Sequence, residues 1–273
     1  QGYIVNSVSN NVQVVDLSTG ATVGVVSTGE GSNPMKLALG PDGRAYVTNL
    51  VTNNVAVIDL VSRTLVRTID LSGVGSGPTG ITLTGGKLYV TLTNFNLSDF
   101  SYGPGRVAVI PLSTLTVSRT VEVGTNPQDA IVGPDLRVHV AATGNYGDIP
   151  GRVDVIDPAR DEVVATIPLG GTPASLTAAT GTRVFVADGS RGVLAYDAAT
   201  RQILFDGEHA IAGAQVANEG SSIFDVKFDP QTGLVYAADF PKDRVFAIDP
   251  ATGSIVSVIG VGDGPAALGV YPQ

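Results

Sequence analysis

A short apolar strand returns along this chain at nearly regular intervals. Each copy opens with an aromatic residue or His, and successive copies start 43, 43, 50, 46 and 51 residues apart. The six copies begin at Tyr3, Tyr46, Tyr89, His139, Phe185 and Tyr236. A period of this length is typical of stacked supersecondary units that bury a continuous core between neighbours. Most residues are therefore predicted to build one repeated unit, and function is expected where the copies differ.

Each repeat contains four predicted strands, and the returning phrase is the second when strands are counted from the inside outward. The first strand starts at an Xaa-Pro pair such as Asn33-Pro34 or Gly77-Pro78. The third strand ends in Asp in five copies, namely Asp16, Asp59, Asp157, Asp197 and Asp249. Because Asp side chains cap turns through backbone hydrogen bonds, this recurrence indicates structure rather than chemistry.

Six such units predict an all-β, six-bladed β-propeller made of four-stranded antiparallel blades. The chain starts at a second strand, at Tyr3, and ends after a first strand, at residues 266–271. We therefore expect the C-terminal strand to complete the N-terminal blade and close the ring. On this interpretation residues 1–273 form a single β-propeller domain.

Three phrases resemble the YVTN family of β-propeller repeats: Arg44–Asn49 (RAYVTN), Asn54–Asp59 (NVAVID) and Gly40–Gly43 (GPDG). The resemblance covers essentially the whole chain and is strongest in the first two copies. It implies a bacterial or archaeal protein that is secreted or surface-associated, and it implies no single activity. Most members have seven blades or belong to longer proteins, so six copies are a departure from the family pattern.

Composition limits the classes of partner that the chain is expected to bind and the compartment in which it is expected. The net charge is -9 with only 16 Lys and Arg residues, which disfavours a nucleic-acid partner and anionic lipid. No apolar run is long enough to cross a membrane, so no membrane insertion is expected. Few Lys, abundant Thr, Ser, Asn and Gly, and a first residue that is Gln rather than Met favour an exported chain, extracellular, at the cell surface or periplasmic.

The copies differ most in three insertions. The loop between second and third strands has five residues in copies one, two and six, but fourteen in copy three (93–106) and ten in copy four (143–152). The third insertion is the link after the outer strand of copy five (206–222). Because the chain alternates direction within a blade, all three are predicted on one face, where loops on a rigid scaffold carry binding functions.

The inserted residues combine aromatic contact area with acceptor groups, as a recognition surface would. The alternative is that the aromatic rings only pack their own loops down. We also hypothesise that Arg106 and Arg152 anchor the loops by pairing with Asp99 or Asp148. The candidate binding residues are Asn94, Phe95, Asp99, Phe100, Tyr102, Tyr146, Asp148, Glu208 and His209.

A cation-dependent hydrolase or lactonase, by analogy with gluconolactonase-like propellers, is the enzyme alternative. Asp129, Glu219 and Asp225 are the candidate ligands for Ca²⁺ or Mg²⁺ at the central channel. However, the positions equivalent to Asp129 and Asp225 in other copies read Lys36, Gly80, Ser175 and Ala267, so a carboxylate ring would be incomplete. No cofactor is therefore expected.

The two His residues do not support a catalytic site. His139 occupies the aromatic position of the repeat and is interpreted as a structural substitute for Tyr. His209 could act as a base, although a lone surface His is the favoured reading. The sequence thus favours a non-catalytic binding module whose partner is a protein or glycan of the cell envelope. A structural surface subunit that packs through its opposite face or outer edges is the third alternative.

Overall fold

The computed structural model describes residues 1–205 and 222–271. Their regular elements are β-strands, apart from one 3-10 turn at Phe240–Lys242. The chain divides into two compact units, residues 1–127 and 128–273. The single domain over residues 1–273 stays a prediction.

The first unit contains the sheets of three blades and one small hairpin. Blade one is β1-β2-β3, blade two is β4-β5-β6-β7, blade three is β8-β9-β12-β13, and β10 pairs with β11 in the hairpin. The strands are β1 (Gly2–Asn6), β2 (Asn11–Val15), β3 (Thr22–Ser27), β4 (Pro34–Leu39), β5 (Arg44–Asn49), β6 (Asn54–Asp59), β7 (Thr64–Asp70), β8 (Pro78–Thr84), β9 (Lys87–Leu92), β10 (Phe95–Asn96), β11 (Ser101–Tyr102), β12 (Arg106–Pro111) and β13 (Arg119–Glu122).

The second unit contains the sheets of the other three blades. Blade four is β14-β15-β16-β17, blade five is β18-β19-β20-β21 and blade six is β22-β23-β24-β25. The strands are β14 (Pro127–Val132), β15 (Val138–Ala142), β16 (Arg152–Asp157), β17 (Glu162–Ile167), β18 (Pro173–Ala178), β19 (Arg183–Asp188), β20 (Gly192–Asp197), β21 (Ile203–Phe205), β22 (Ile223–Asp229), β23 (Leu234–Asp239), β24 (Arg244–Ile248) and β25 (Ile255–Gly260).

The six-bladed propeller class predicted from the repeat is confirmed. All neighbouring strands pair antiparallel, and the returning phrase is the second strand of blades two to six. Strands β4, β8, β14 and β18 begin at the predicted residues Pro34, Pro78, Pro127 and Pro173. Blade one has three strands among the described residues, and residues 266–271 form no strand. Closure of the ring by the C-terminal strand is therefore not confirmed.

Within each unit the core lies between neighbouring blades. Successive side chains of a strand point to opposite faces, so the nearly continuous apolar strands at the middle of each blade are buried on both sides. In the first unit one such cluster joins blades two and three. It includes Tyr46, Val55, Val57, Ile69, Leu71, Leu88, Val90, Leu92, Ala108 and Ile110. This packing makes each blade a rigid support for its loops.

A repeated polar contact fixes the links between blades. In blades one, two and six, an Asn or Asp just before the third strand has a left-handed backbone, with φ from 51° to 54°. Its side-chain oxygen accepts a hydrogen bond from the backbone N–H of the residue just before the next Pro. The pairs are Asn10 with Asn33 (2.8 Å), Asn53 with Gly77 (2.7 Å) and Asp243 with Gly264 (2.8 Å). Asn, Asp and Gly recur there because they tolerate positive φ.

Candidate functional site

The insertion in copy three folds into a hairpin that projects from blade three. We call residues 93–106 the copy-three loop. Its strands β10 and β11 pair Phe95 with Tyr102 and Asn96 with Ser101. The rings of Phe95 and Tyr102 lie 4.8 Å apart, and Phe100 meets Phe95 edge-on at 6.2 Å. Such pairs hold a short hairpin in one shape, so this loop is an ordered projection.

Asn94 ties the base of the copy-three loop to the preceding link. Its side-chain oxygen accepts a hydrogen bond from the N–H of Ser76 at 2.8 Å, and its side-chain amide donates to the carbonyl of Pro104 at 2.6 Å. The N–H of Gly103 also donates to its carbonyl, at 2.9 Å. These bonds give Asn94 a structural role in the loop, and its role in binding stays a prediction.

The tip of the copy-three loop is apolar and exposed. Leu97 is 78% exposed and Phe100 is 76% exposed. Phe100 adopts φ 57°, a left-handed conformation that is unusual for an aromatic residue. Phe95 and Tyr102 are half-buried, so the alternative that rings pack their own loop describes these two. Phe100 is the ring that the loop presents to solvent.

Asp99 adds a negative charge beside the exposed ring. Its carboxylate accepts hydrogen bonds from the Ser101 hydroxyl and N–H, at 2.6 and 3.0 Å, which lower its pKa. The hypothesis that Arg106 pairs with Asp99 is wrong, since the Arg106 guanidinium donates to the carbonyl of Val74 at 2.9 Å. Arg106 nevertheless joins the loop end to a neighbouring link.

The insertion in copy four is organised by one Asn. We call residues 143–152 the copy-four loop. The side-chain oxygen of Asn145 accepts hydrogen bonds from the N–H groups of Gly147 and Ile149, at 3.0 and 2.9 Å. Its side-chain amide donates to Asp148 at 2.8 Å, which lowers the pKa of that carboxyl. Asp148 is thus held in place by the loop itself.

Tyr146 is the exposed ring of the copy-four loop. Its side chain is 67% exposed, and its φ of 59° matches the left-handed backbone of Phe100. The predicted pairing of Arg152 with Asp148 is wrong, because the Arg152 guanidinium lies 3.0 Å from the buried carboxylate of Asp154. A buried carboxylate is the stronger partner since it has less competition from water.

Both loops end in Pro-Gly-Arg, and neither Gly has room for a side chain. A side chain at Gly105 would collide with the carbonyl oxygen of Gly124, and one at Gly151 would collide with the ring of Pro173. These glycines occupy the place that Asn53 takes in blade two, just before the third strand. The expanded loops therefore approach their links more closely than the short loop does.

Glu208, His209 and Glu219 lie outside the described residues, so their predicted roles stay predictions. The two other cation candidates, Asp129 and Asp225, are buried on the innermost strands of blades four and six. Asp129 accepts backbone hydrogen bonds from Ala130 and Leu176, both at 2.9 Å. The carboxylate therefore joins blade four to blade five.

Asp225 makes the equivalent link in blade six. One oxygen accepts hydrogen bonds from Ser175 at 2.5 Å, from the N–H of Val226 and from Lys227, both at 3.0 Å. The other accepts the N–H of Leu268 at 2.8 Å. Among residues 1–205 and 222–271, no three His, Cys, Asp or Glu side chains are grouped to hold a metal ion.

His139 is a structural residue, as its place in the repeat predicts. It is fully buried, and its Nε2 lies 2.8 Å from Asp135. In blade two the Tyr46 hydroxyl donates to Asp42, at 2.7 Å, in the same way. The substitution of His for Tyr keeps this bond, and the other ring nitrogen contacts Tyr196.

The features that sequence reasoning missed are the left-handed tips at Phe100 and Tyr146. Aromatic residues carry no signal for positive φ, so nothing in the sequence marks these two positions. No helix in the described part of the chain has the length and apolar character needed to span a membrane.

Comparison with solved structures supports the fold. The chain is similar to a chain of hydrazine synthase from Kuenenia stuttgartiensis, with a TM-score of 0.77, 18% identity, and coverage of 97% of this chain and 84% of that one. At this identity the likeness shows the propeller fold alone. No protein-family model matches the chain, so the YVTN resemblance is not confirmed. No curated protein matches it either.

Proposed function

We propose that this protein is a non-catalytic binding module that acts outside the cell or at its surface. Its inserted loops in repeats three to five are the recognition elements. The observation that carries the proposal is the copy-three loop, whose base is fixed while its tip exposes Phe100 and Leu97, 76% and 78% exposed. An aromatic anchor on a pre-ordered support loses little conformational entropy on binding.

The partner is a protein or glycan of the cell envelope. The loop offers an apolar ring with the Asp99 carboxylate beside it, and this carboxylate is charged at neutral pH, as an Asp side chain ordinarily is. Such a pairing suits a partner that presents an apolar or ring-shaped group next to hydrogen-bond donors. The copy-four loop presents the same combination with Tyr146 and Asp148.

Export is the second element of the proposal. It is supported by the chain's few Lys residues, by its abundant Thr, Ser, Asn and Gly, and by the resemblance of its repeats to the YVTN family. On this reading the protein belongs among the secreted or surface-associated propellers of bacteria or archaea. Fractionation of the source cells tests it: recovery in the cytosol alone would contradict the proposal.

A capture experiment on envelope extract tests the binding function. In the test variant, Gly-Gly replaces residues 95–102, so that Asn94 and Gly103, already joined by a 2.9 Å hydrogen bond, flank a short turn. Tyr146→Ala tests the copy-four loop separately. Val61→Ala is the control, because Val61 is 91% exposed in an ordinary turn of blade two.

We expect the intact chain and the control to capture the same partner, and the tip-deleted variant to lose it. Equal capture by all variants would contradict the assignment of the loops. Failure of the intact chain to capture any envelope component would contradict the binding function itself.

A further inference from the structure

Strand β25 is the outer strand of blade six, and it carries no charged residue. It pairs with β24 on one side, and among the described residues it is the last strand of its sheet. Its six residues, IVSVIG, include Val256 and Val258, which are 54% and 55% exposed. A long, exposed and uncharged edge strand is a template for pairing with another chain.

The outer strands of blades two and three carry a charge at the equivalent position. The registers place Arg67 opposite Val57, Arg119 opposite Val109, and Ser257 opposite Ala247. Ser257 therefore stands where two other blades have Arg. Charged residues on edge strands prevent edge-to-edge pairing, so blade six lacks a protection that this chain uses elsewhere.

The remaining outer strands are protected in other ways. Strand β17 begins with Glu162, and β21 is only three residues long. Strand β3 is uncharged, but the Arg63 guanidinium donates a hydrogen bond to its Val23 carbonyl. The register shift near the start of β25 also occurs in blades one, two, four and five, so it does not set β25 apart.

The edge also presents apolar surface through Val256 and Val258. Burial of these side chains would add a hydrophobic contribution to any pairing along β25.

The sequence of β25 indicates which strand pairs with its free edge. Residues 255–259 read Ile-Val-Ser-Val-Ile, the same in both directions. We propose that β25 pairs antiparallel with β25 of a second copy, about a two-fold axis through Ser257. The axis places Val256 opposite Val258 of the other copy and Ile255 opposite its Ile259. Such β-branched cross-strand pairs stabilise sheets, and a two-fold contact closes into a dimer rather than a filament.

Charge explains how association would respond to salt. Each copy carries a net charge of -9, so two copies repel one another at long range. The contact itself contains no charge to be screened. Added salt therefore strengthens this dimer, in contrast to one held by ion pairs.

Sedimentation velocity on the full chain, over a range of concentrations and at low and moderate salt, tests the proposal. Ser257→Arg places on β25 the residue that blades two and three carry there, and it brings two positive charges together at the axis. Thr68→Arg is the matched control, since Thr68 is exposed on β7 and receives the same charge. Thermal unfolding checks that both variants fold.

We expect a monomer–dimer equilibrium that salt strengthens, a Kd at least tenfold higher in Ser257→Arg, and a Kd unchanged within twofold in Thr68→Arg. A chain that stays monomeric at all concentrations would overturn the proposal. So would a Ser257→Arg variant that dimerises like the parent, or an equal loss in the control.

A cysteine variant tests the register. The chain has no Cys, so Ser257→Cys gives a clean background for an intermolecular disulfide across the axis. Mild oxidation is expected to cross-link Ser257→Cys and not Thr68→Cys. A parent that dimerises while Ser257→Cys fails to cross-link would overturn the axis. The variant with the copy-three tip deleted should dimerise normally, which separates this contact from the proposed binding function.

Discussion

The Nδ1 atom of His139 lies 2.7 Å from the hydroxyl oxygen of Tyr196, and the two rings stack at 5.7 Å. His139 is in blade four and Tyr196 is in blade five, so the contact joins two blades. Nε2 of the same ring contacts Asp135. The hydroxyl, both ring nitrogens and the carboxylate each have a hydrogen-bond partner when Tyr196 donates to Nδ1 and Nε2–H donates to Asp135. Two buried side chains and the half-buried Asp135 carboxylate thus depend on one another.

The first prediction concerns this contact. Tyr196→Phe leaves the buried Nδ1 of His139 without its hydroxyl partner, so we expect the free energy of unfolding to fall by about 1–3 kcal/mol. Tyr236→Phe is the control, because the Tyr236 hydroxyl makes only an exposed 3.4 Å contact with Thr232. That variant should stay within about 0.5 kcal/mol of the parent. Urea unfolding measures both, and equal values for the two variants would contradict the role of the contact.

The second prediction concerns alkaline pH. Burial, followed by the hydrogen bond to Asp42 and its charge, raises the pKa of Tyr46 from 10.0 to about 12. Because the folded pKa is the higher one, the neutral hydroxyl contributes stability that is fully present below pH 10 and is lost as pH rises toward 12. Tyr46→Phe has no such group to ionise.

We therefore expect the free energy of unfolding to fall less steeply between pH 10 and 12 in Tyr46→Phe than in the parent. Urea unfolding at closely spaced pH values measures the two slopes. Identical slopes would show that Tyr46 ionises as easily in the folded chain as in the unfolded one.

The third prediction concerns the contact between Asn53 and Gly77. Asn53→Gly keeps the left-handed backbone but loses the acceptor for the Gly77 N–H, which should cost about 0.5–1.5 kcal/mol of unfolding free energy. Asn53→Ala must also adopt φ 51° with a Cβ atom, which should cost about 1 kcal/mol more.

Asn53→Asp is the control for that series, because Asp243 makes the equivalent bond in blade six. Its stability should stay close to that of the parent. Chemical unfolding of the three variants gives the order of their stabilities. A Gly variant no more stable than the Ala variant would show that a Cβ atom at this positive φ costs nothing.

Most of the scaffold could be predicted from the sequence because its signals are periodic. The aromatic start of each second strand and the Pro at the start of β4 and β8 recur, and repetition separates such signals from chance. Even the His139 substitution could be interpreted, since the repeat gives the residue it replaces. Residues that occur in only one copy, such as those of the inserted loops, have no repetition to separate a signal from chance.

The loops were predicted less well for a physical reason. The pairing of Arg106 with Asp99 was inferred from proximity in sequence, but the structure offers Arg106 a carbonyl on another segment, Val74. Arginine side chains reach far enough to choose between local and distant acceptors. The candidates Asp129 and Asp225 likewise accept hydrogen bonds from the backbone N–H groups of distant residues, Leu176 and Leu268, which no spacing within the sequence indicates.

The last prediction separates recognition from stability at Phe100. Phe100→Ala and Phe100→Gly both remove the exposed ring, so if the ring binds the partner, both should lose capture from envelope extract to the same degree. Only the Ala variant must still place a Cβ atom at φ 57°, and the Gly variant should therefore be more stable by about 1 kcal/mol. Capture and urea unfolding, measured on the same preparations, give the two readouts. If the more stable Gly variant captured more partner than the Ala variant, Phe100 would act through loop structure and not through its ring.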